Sequence, residues 1–312
     1  MAVTPRDPAT VPGLDGRSRW IDLDGPLHYL DLGGPAGAPV VVCVHGLSGS
    51  AVNWSAIAPL LTDRYRLLAP DLAGHGLTRS VGRGTTVSAN RILLHRFLES
   101  MPGTPVILMG NSMGGLISLL EAANAPGAVS GLILISPVLP IVPARPDPAV
   151  TAMLMAYATP GLGQLLMVRR RRLSPEALVR STMSLCCADP SRVPATVIAE
   201  HVAVARQRAA FTELNRDLAV AARSAVSAAG SGLGLPYRRL MRSITAPVLL
   251  LHGERDRLVP VAAARAAARA NPTWSVRLLP GVGHVPQLEA PQTVAAEVRG
   301  WLDANPSATG RR

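Results

Sequence analysis

The chain has no lysine: its 31 basic side chains are all arginine, against 20 carboxylates, for a net charge of +11. Aromatic residues make up only 3% of the 312, and none interleaves with the one concentrated basic run, Arg169-Arg170-Arg171-Arg172. Proteins that hold single-stranded nucleic acid stack its bases on aromatic rings, so no nucleic-acid partner is expected. An anionic membrane surface is the other target such charge could serve. Alanine, arginine, glycine and proline are abundant together, as GC-rich coding produces, and peripheral membrane contact is not favoured. Cysteine is scarce too. Cys186 and Cys187 are neighbours, where a bridge would be strained, and Cys43 lies in an apolar run, so no disulfide framework is expected. No apolar stretch reaches the ~18 residues of a membrane span. The best, Gly131 to Val142, is broken by Pro137 and Pro140. Met1 to Gly13 carries prolines and charges where a secretory signal has an apolar segment, which predicts a cytoplasmic protein. His-Glu-x-x-His and paired Cys/His spacings are absent, so neither a metal nor a cofactor is expected.

A hydrophobic fraction of 48% with 16% charged residues is ample for a globular core. The most informative stretch is Gly110-Asn111-Ser112-Met113-Gly114, directly after the apolar run Val106-Ile107-Leu108-Met109. A strand that ends in Gly-x-Ser-x-Gly and turns at once into a helix leaves the serine oxygen at the tip of a sharp elbow. Gly110 and Gly114 are the small neighbours that such a turn demands, and Gly115 allows still closer packing. A serine hydroxyl needs an imidazole to take its proton and a carboxylate to hold that imidazole in one tautomer. Both follow in the chain: Asp256, in Gly253-Glu254-Arg255-Asp256, after the strand-like run Pro247 to Leu251, and His284, in Gly281-Val282-Gly283-His284, after Ser275 to Leu279. Three residues in this order, each after a strand, point to nucleophilic acyl chemistry by Ser112, Asp256 and His284. The charge on the reacting carbonyl oxygen calls for two backbone N–H donors. Met113 follows the nucleophile at a helix N-terminus, and Leu47 lies in the loop His45-Gly46-Leu47-Ser48-Gly49-Ser50 after Val40–Val44, with Gly46 predicted to permit the turn.

The segments HGLSGSAVNW (45–54), DLAGHG (71–76), GNSMGG (110–115), GERDRLVP (253–260) and GVGHVPQLEAP (281–291) together resemble the α/β-hydrolase fold superfamily, in its serine-triad esterase and lipase branch. The resemblance spans most of the chain. It implies Ser112 as nucleophile, Asp256 as acid, His284 as base, and Leu47 and Met113 as oxyanion donors. Haloalkane dehalogenases and epoxide hydrolases look similar but carry an aspartate where this chain has Ser112, which argues for ester, thioester, amide or activated C–C hydrolysis. The expected substrate is a small carboxylic ester with an apolar acyl or alcohol part. Acyl transfer or cofactor-free perhydrolysis would use the same residues, and some ligand receptors on this fold keep an intact triad.

The fold class expected is α/β: a mostly parallel sheet of about eight strands, helices on both faces, and an inserted helical cap. Strand-like runs fall at Arg19–Leu23, Leu27–Leu32, Val40–Val44, Arg66–Ala69, Val106–Met109, Leu132–Ser136, Val248–Leu251 and Ser275–Leu279. Helical patterns include Val87–Glu99, Met113–Ala123, Val261–Ala270 and Thr293–Asp303. The predicted organisation is a leader at 1–16, a core formed by 17–136 and 246–304, a cap at 137–245 and a tail at 305–312. Cap residues Met153, Tyr157 and Leu166 are candidate pocket lining. His45 and His252 are expected to be structural, Trp54 to begin a helix as packing, and His75 to be a loop residue that is exposed or rims the pocket.

Overall fold

A computed structural model describes residues 13–14, 16–101, 105–139, 147–150, 152, 159, 165, 169, 172–230 and 239–310, with 229 and 230 described in backbone only. Its centre is an eight-stranded sheet: β1 (Ser18–Asp22), β2 (Pro26–Gly33), β3 (Val40–Val44), β4 (Arg66–Pro70), β5 (Val106–Asn111), β6 (Val129–Ile135), β7 (Val248–Gly253) and β8 (Ser275–Leu279). Their spatial order is β1-β2-β4-β3-β5-β6-β7-β8. β1 and β2 form an antiparallel hairpin through Asp24 (φ 57°) and Gly25 (φ 112°), and β2 meets β4 antiparallel. From β4 to β8 every pairing is parallel. β5, β6 and β7 are almost wholly buried, which is why they read as continuous runs of branched aliphatic residues.

Helices among the described residues include α1 (Val87–Glu99), α2 (Met113–Asn124), α3 (Pro175–Cys186), α4 (Ala195–Arg208), α5 (Leu214–Gly230), α6 (Val261–Ala270), α7 (Pro286–Glu289) and α8 (Pro291–Ala304). α1 starts where Thr86 Oγ1 accepts from Ala89 N at 3.1 Å, a side-chain cap for a free N–H. One apolar cluster joins α1, α2 and α6 to one sheet face, and a second joins α8 and the segment around Trp54 to the other. In α2, Leu116, Ile117 and Leu119 are fully buried, each contributing roughly 1.5–3 kcal/mol through removal from water.

Several expectations shift. Leu14, inside the expected leader, is fully buried, and its carbonyl accepts from the amides of Arg17 and Ser18. The expected tail forms a short 3-10 turn, Pro306–Thr309. There Ala308 is buried against Gly131, whose missing side chain leaves the space it fills, and Ser130 Oγ donates to the Ala308 carbonyl at 2.7 Å. Trp54 ends rather than begins its turn, Ala51–Trp54, and packs fully buried. Between β6 and β7 the described residues include α3, α4 and α5 and form no strand. Among the described residues no helix is long and apolar enough to cross a membrane.

Candidate functional site

Parallel strands all present their C-terminal ends on one side, and chemistry in open α/β sheets gathers there, where the strand order reverses. The chain lays β4 on one side of β3 and β5 on the other, so the reversal falls at β3 and β5. Gly46 and Leu47 follow β3, Ser112 follows β5, Asp256 follows β7 and His284 follows β8.

Ser112 has φ 56° and ψ −120°, a left-handed backbone on a residue with a side chain. Such a conformation costs about 1–3 kcal/mol and persists only where surroundings over-determine it. Here Ser112 N donates to the Ile135 carbonyl at 3.0 Å, and its own carbonyl accepts from Val138 N (3.0 Å) and Leu116 N (3.1 Å). The glycines meet the predicted demand. A Cβ on Gly110 would lie 2.5 Å from the Gly114 carbonyl oxygen, and one on Gly114 would lie 2.1 Å from that of Val44. Gly115 packs against Pro137.

His284 and Asp256 are both buried, and Nδ1 of His284 lies 2.7 Å from Oδ2 of Asp256. An ionised carboxylate only accepts, so Nδ1 carries the proton and Nε2 is left with its lone pair. Asp256 Oδ1 accepts from the amides of Leu258 (2.8 Å) and Val259 (2.9 Å), fixing the carboxylate plane. Burial pushes the Asp256 carboxyl up, but His284, His252 and the Val259 N–H together outweigh it, and the group lies below the usual carboxylate range. The main chain of the base is held as well: His284 N donates to the Cys186 carbonyl (2.6 Å), and Asn111 Nδ2 donates to both the Ile135 (3.0 Å) and His284 (3.1 Å) carbonyls. Asn111 thus ties the elbow to the base. Sequence reasoning passed over it as the variable position of Gly-x-Ser-x-Gly; its only signal is a polar side chain in a buried strand end. Among the described residues no hydrogen bond joins Ser112 Oγ to His284. Such contacts are often long before a substrate binds.

The loop after β3 touches the serine, since a Cβ on Gly46 would lie 2.9 Å from Ser112 Cβ and 3.4 Å from Oγ. Gly46 is needed for that approach; the left-handed turn falls instead on Ser48, at φ 61°. The Gly46 carbonyl accepts from His45 Nδ1 (2.8 Å) and Gly49 N (3.1 Å). That carbonyl and the Leu47 N–H share one planar peptide and point in opposite directions, so both bonds also aim the Leu47 N–H. His45 Nε2 accepts from Leu72 N at 3.1 Å, which selects the Nδ1–H tautomer. The Met113 N–H lies in the first turn of α2, where helix geometry leaves it without an intrahelical acceptor.

Behind this loop, Asp71 Oδ2 lies 2.7 Å from His28 Nδ1 and accepts from Leu77 N (2.8 Å), while Oδ1 accepts from Ala51 N (2.7 Å). His75 stacks obliquely on His45 at 5.4 Å between centroids and is fully buried, so it neither faces solvent nor rims the site as expected. Its Nδ1 is held by the Ala73 carbonyl at 3.0 Å. Burial, with help from His45 and Arg208, pushes His75 down to about 3, and burial also lowers His45 and His252. His252 is fully buried 3.5 Å from Asp256, as its expected structural role requires.

These imidazoles predict a pH dependence. Groups whose pKa is lower in the folded state are protonated first in the unfolded chain, so stability is full above about pH 6.5 and falls below it. The loss is about 1.4 kcal/mol per pH unit for each such imidazole, down to its folded pKa. Urea midpoints taken from about pH 8 to about pH 5 check this; stability that holds or rises on acidification would contradict it.

Met153, Tyr157 and Leu166 lie outside the described residues, as do Arg170 and Arg171 of the basic run. Among the described residues no group of three His, Cys, Asp or Glu side chains could hold a metal ion.

Residues 41–297 match the family described as "Alpha/beta hydrolase family". A pimeloyl-acyl-carrier-protein methyl ester esterase of Aromatoleum aromaticum is 31% identical over 82% of this chain and 95% of its own. A monoglyceride lipase of Rattus norvegicus is 27% identical over 98% and 96%. In structure, a thermophilic esterase from Thermogutta terrifontis superposes with a TM-score of 0.68 at 23% identity, over 93% of this chain and 99% of that one, a likeness of fold.

Proposed function

The chain belongs to the alpha/beta hydrolase family, and on that premise we propose that it cleaves small carboxylic esters through an acyl-enzyme on Ser112. The observation that carries the reading is the buried 2.7 Å pair of His284 and Asp256, tied through the Asn111 side chain to the elbow that holds Ser112 at φ 56°. In this mechanism Ser112 Oγ attacks the ester carbonyl while His284 Nε2 takes its proton. Negative charge gathers on the carbonyl oxygen between the N–H groups of Leu47 and Met113, each donor worth about 3 kcal/mol to the transition state. His284 then protonates the departing alcohol. Water, deprotonated by the same nitrogen, attacks the acyl-enzyme and returns the free serine. Asp256 holds the imidazole in its Nδ1–H tautomer and stabilises the imidazolium.

The segment 137–245 serves as the cap over this site. Three tethers support that assignment. His284 N bonds the carbonyl of Cys186 at the end of α3, Arg208 of α4 donates to the Gly74 carbonyl (3.2 Å), and Glu213 takes two bonds from Arg79 (2.6 and 3.0 Å). An esterase and a lipase among the relatives support an ester as the substrate. The apolar composition of residues 153–167 supports an apolar acyl or alcohol part.

A series of p-nitrophenyl esters of increasing acyl length tests this reading. The expected result is hydrolysis with an initial burst of p-nitrophenol, as a slowly hydrolysed acyl-enzyme gives, and with a clear optimum in chain length. Failure to turn over any member would contradict it.

A further inference from the structure

Another buried carboxylate lies at the same end of the sheet as Asp256 and Asp71. Glu289 closes the short helix α7 and is 2% exposed. Its Oε2 accepts from Gly283 N (2.8 Å) and Ala188 N (3.1 Å), and its Oε1 from Asp189 N (2.8 Å). One donor precedes His284 in the chain; the other two belong to the segment leaving α3. The same two segments are joined by the 2.6 Å bond from His284 N to the Cys186 carbonyl. They pass so close that a Cβ on Gly283 would lie 2.5 Å from that carbonyl oxygen and 2.6 Å from Ala188 N. On its other side the base turn abuts the acid strand: a Cβ on Gly253 would lie 2.1 Å from the Gly283 carbonyl oxygen. Among the described residues no arginine pairs with Glu289, whose partners are backbone N–H groups.

Asp256 holds the ring of His284, while Glu289 holds the backbone on which that ring is mounted. Bonds from backbone N–H groups to an ionised carboxylate are short and strong, and three of them converge on one side chain here. We propose that Glu289 is a positioning residue for the base: it clamps the His284 turn to the segment leaving α3, so that the imidazole is seated against Asp256 only while that segment is docked. This rests on the assignment of His284 as base.

Glu289→Gln preserves shape but offers one acceptor oxygen and turns an NH2 toward at least one of the three N–H groups. The expected result is a fall in kcat for a p-nitrophenyl ester on the order of 10- to 100-fold with KM within about twofold, the mark of a misplaced catalytic group. A second readout is the downfield proton resonance of His284 Nδ1 in its bond to Asp256, which should broaden into exchange while circular dichroism stays that of wild type. If Glu289 only held the fold together, Glu289→Gln would lower the melting temperature and leave both kcat and the downfield resonance of the folded protein unchanged; that result overturns the proposal. Should the glutamine variant not accumulate folded, Glu289→Asp, which keeps the charge on a stem one methylene shorter, carries the same two readouts with the same expected and contrary results. A wild-type protein that hydrolyses no ester would instead remove the functional reading, and the resonance would still decide whether Glu289 seats His284.

Discussion

Ser112→Ala is expected to lower kcat for ester hydrolysis on the order of 10⁴- to 10⁶-fold while leaving the fold unchanged. The magnitude follows from what the hydroxyl does. Without it no acyl-enzyme forms, and whatever rate survives comes from the donors of Leu47 and Met113 and from water activated by His284. The fold should persist because the elbow is held by main-chain bonds: Ser112 N to Ile135, and Leu116 N and Val138 N to the Ser112 carbonyl. The side chain takes no part in them. Steady-state kinetics with circular dichroism on the same preparation check both halves. A variant that keeps more than about a hundredth of wild-type kcat would mean that another group supplies the nucleophile.

Asp256→Asn should be nearly as damaging, on the order of 10⁴-fold in kcat, although it changes one atom. The reason lies in the other oxygen. Oδ1 accepts from the amides of Leu258 and Val259, so the asparagine must leave its carbonyl oxygen there. Its NH2 then faces His284 Nδ1 in place of Oδ2. Two donors cannot share that 2.7 Å contact, so His284 adopts the opposite tautomer, with its proton on Nε2 and no lone pair for the serine. Two-dimensional ¹⁵N spectra of the imidazole report the tautomer directly. A variant within about tenfold of wild type would show that the acid does not select the tautomer in this protein.

Much of this architecture was readable because burial writes itself into residue type. β3 falls where its run of aliphatic residues predicts, and β8, α1 and α6 match their predicted limits. The elbow was legible for a steric reason: few residues fit where β3, β5 and α2 nearly touch, and Gly110 and Gly114 stand there. Features that depend on distant partners were not legible. His75 reads as a loop histidine, and only the fold buries it against His45. Ser48 takes the left-handed turn that Gly46 seemed suited for, because Gly46 is committed to clearance beside Ser112. Ala308 reads as a tail residue until Gly131, far away in the chain, supplies its notch. Glu289 was invisible for the same reason, since its three donors come from two segments about a hundred residues apart. Periodicity reports which face is buried, not which remote amide a carboxylate will meet.

The most direct test is to treat the folded protein with a fluorophosphonate and locate the adduct by peptide mass spectrometry. A single adduct on the peptide that contains Ser112, absent from Asp256→Asn over the same reaction time and absent from Ser112→Ala altogether, is the predicted result. An adduct on any other serine, or an unmodified Ser112 in protein that hydrolyses esters, would contradict it.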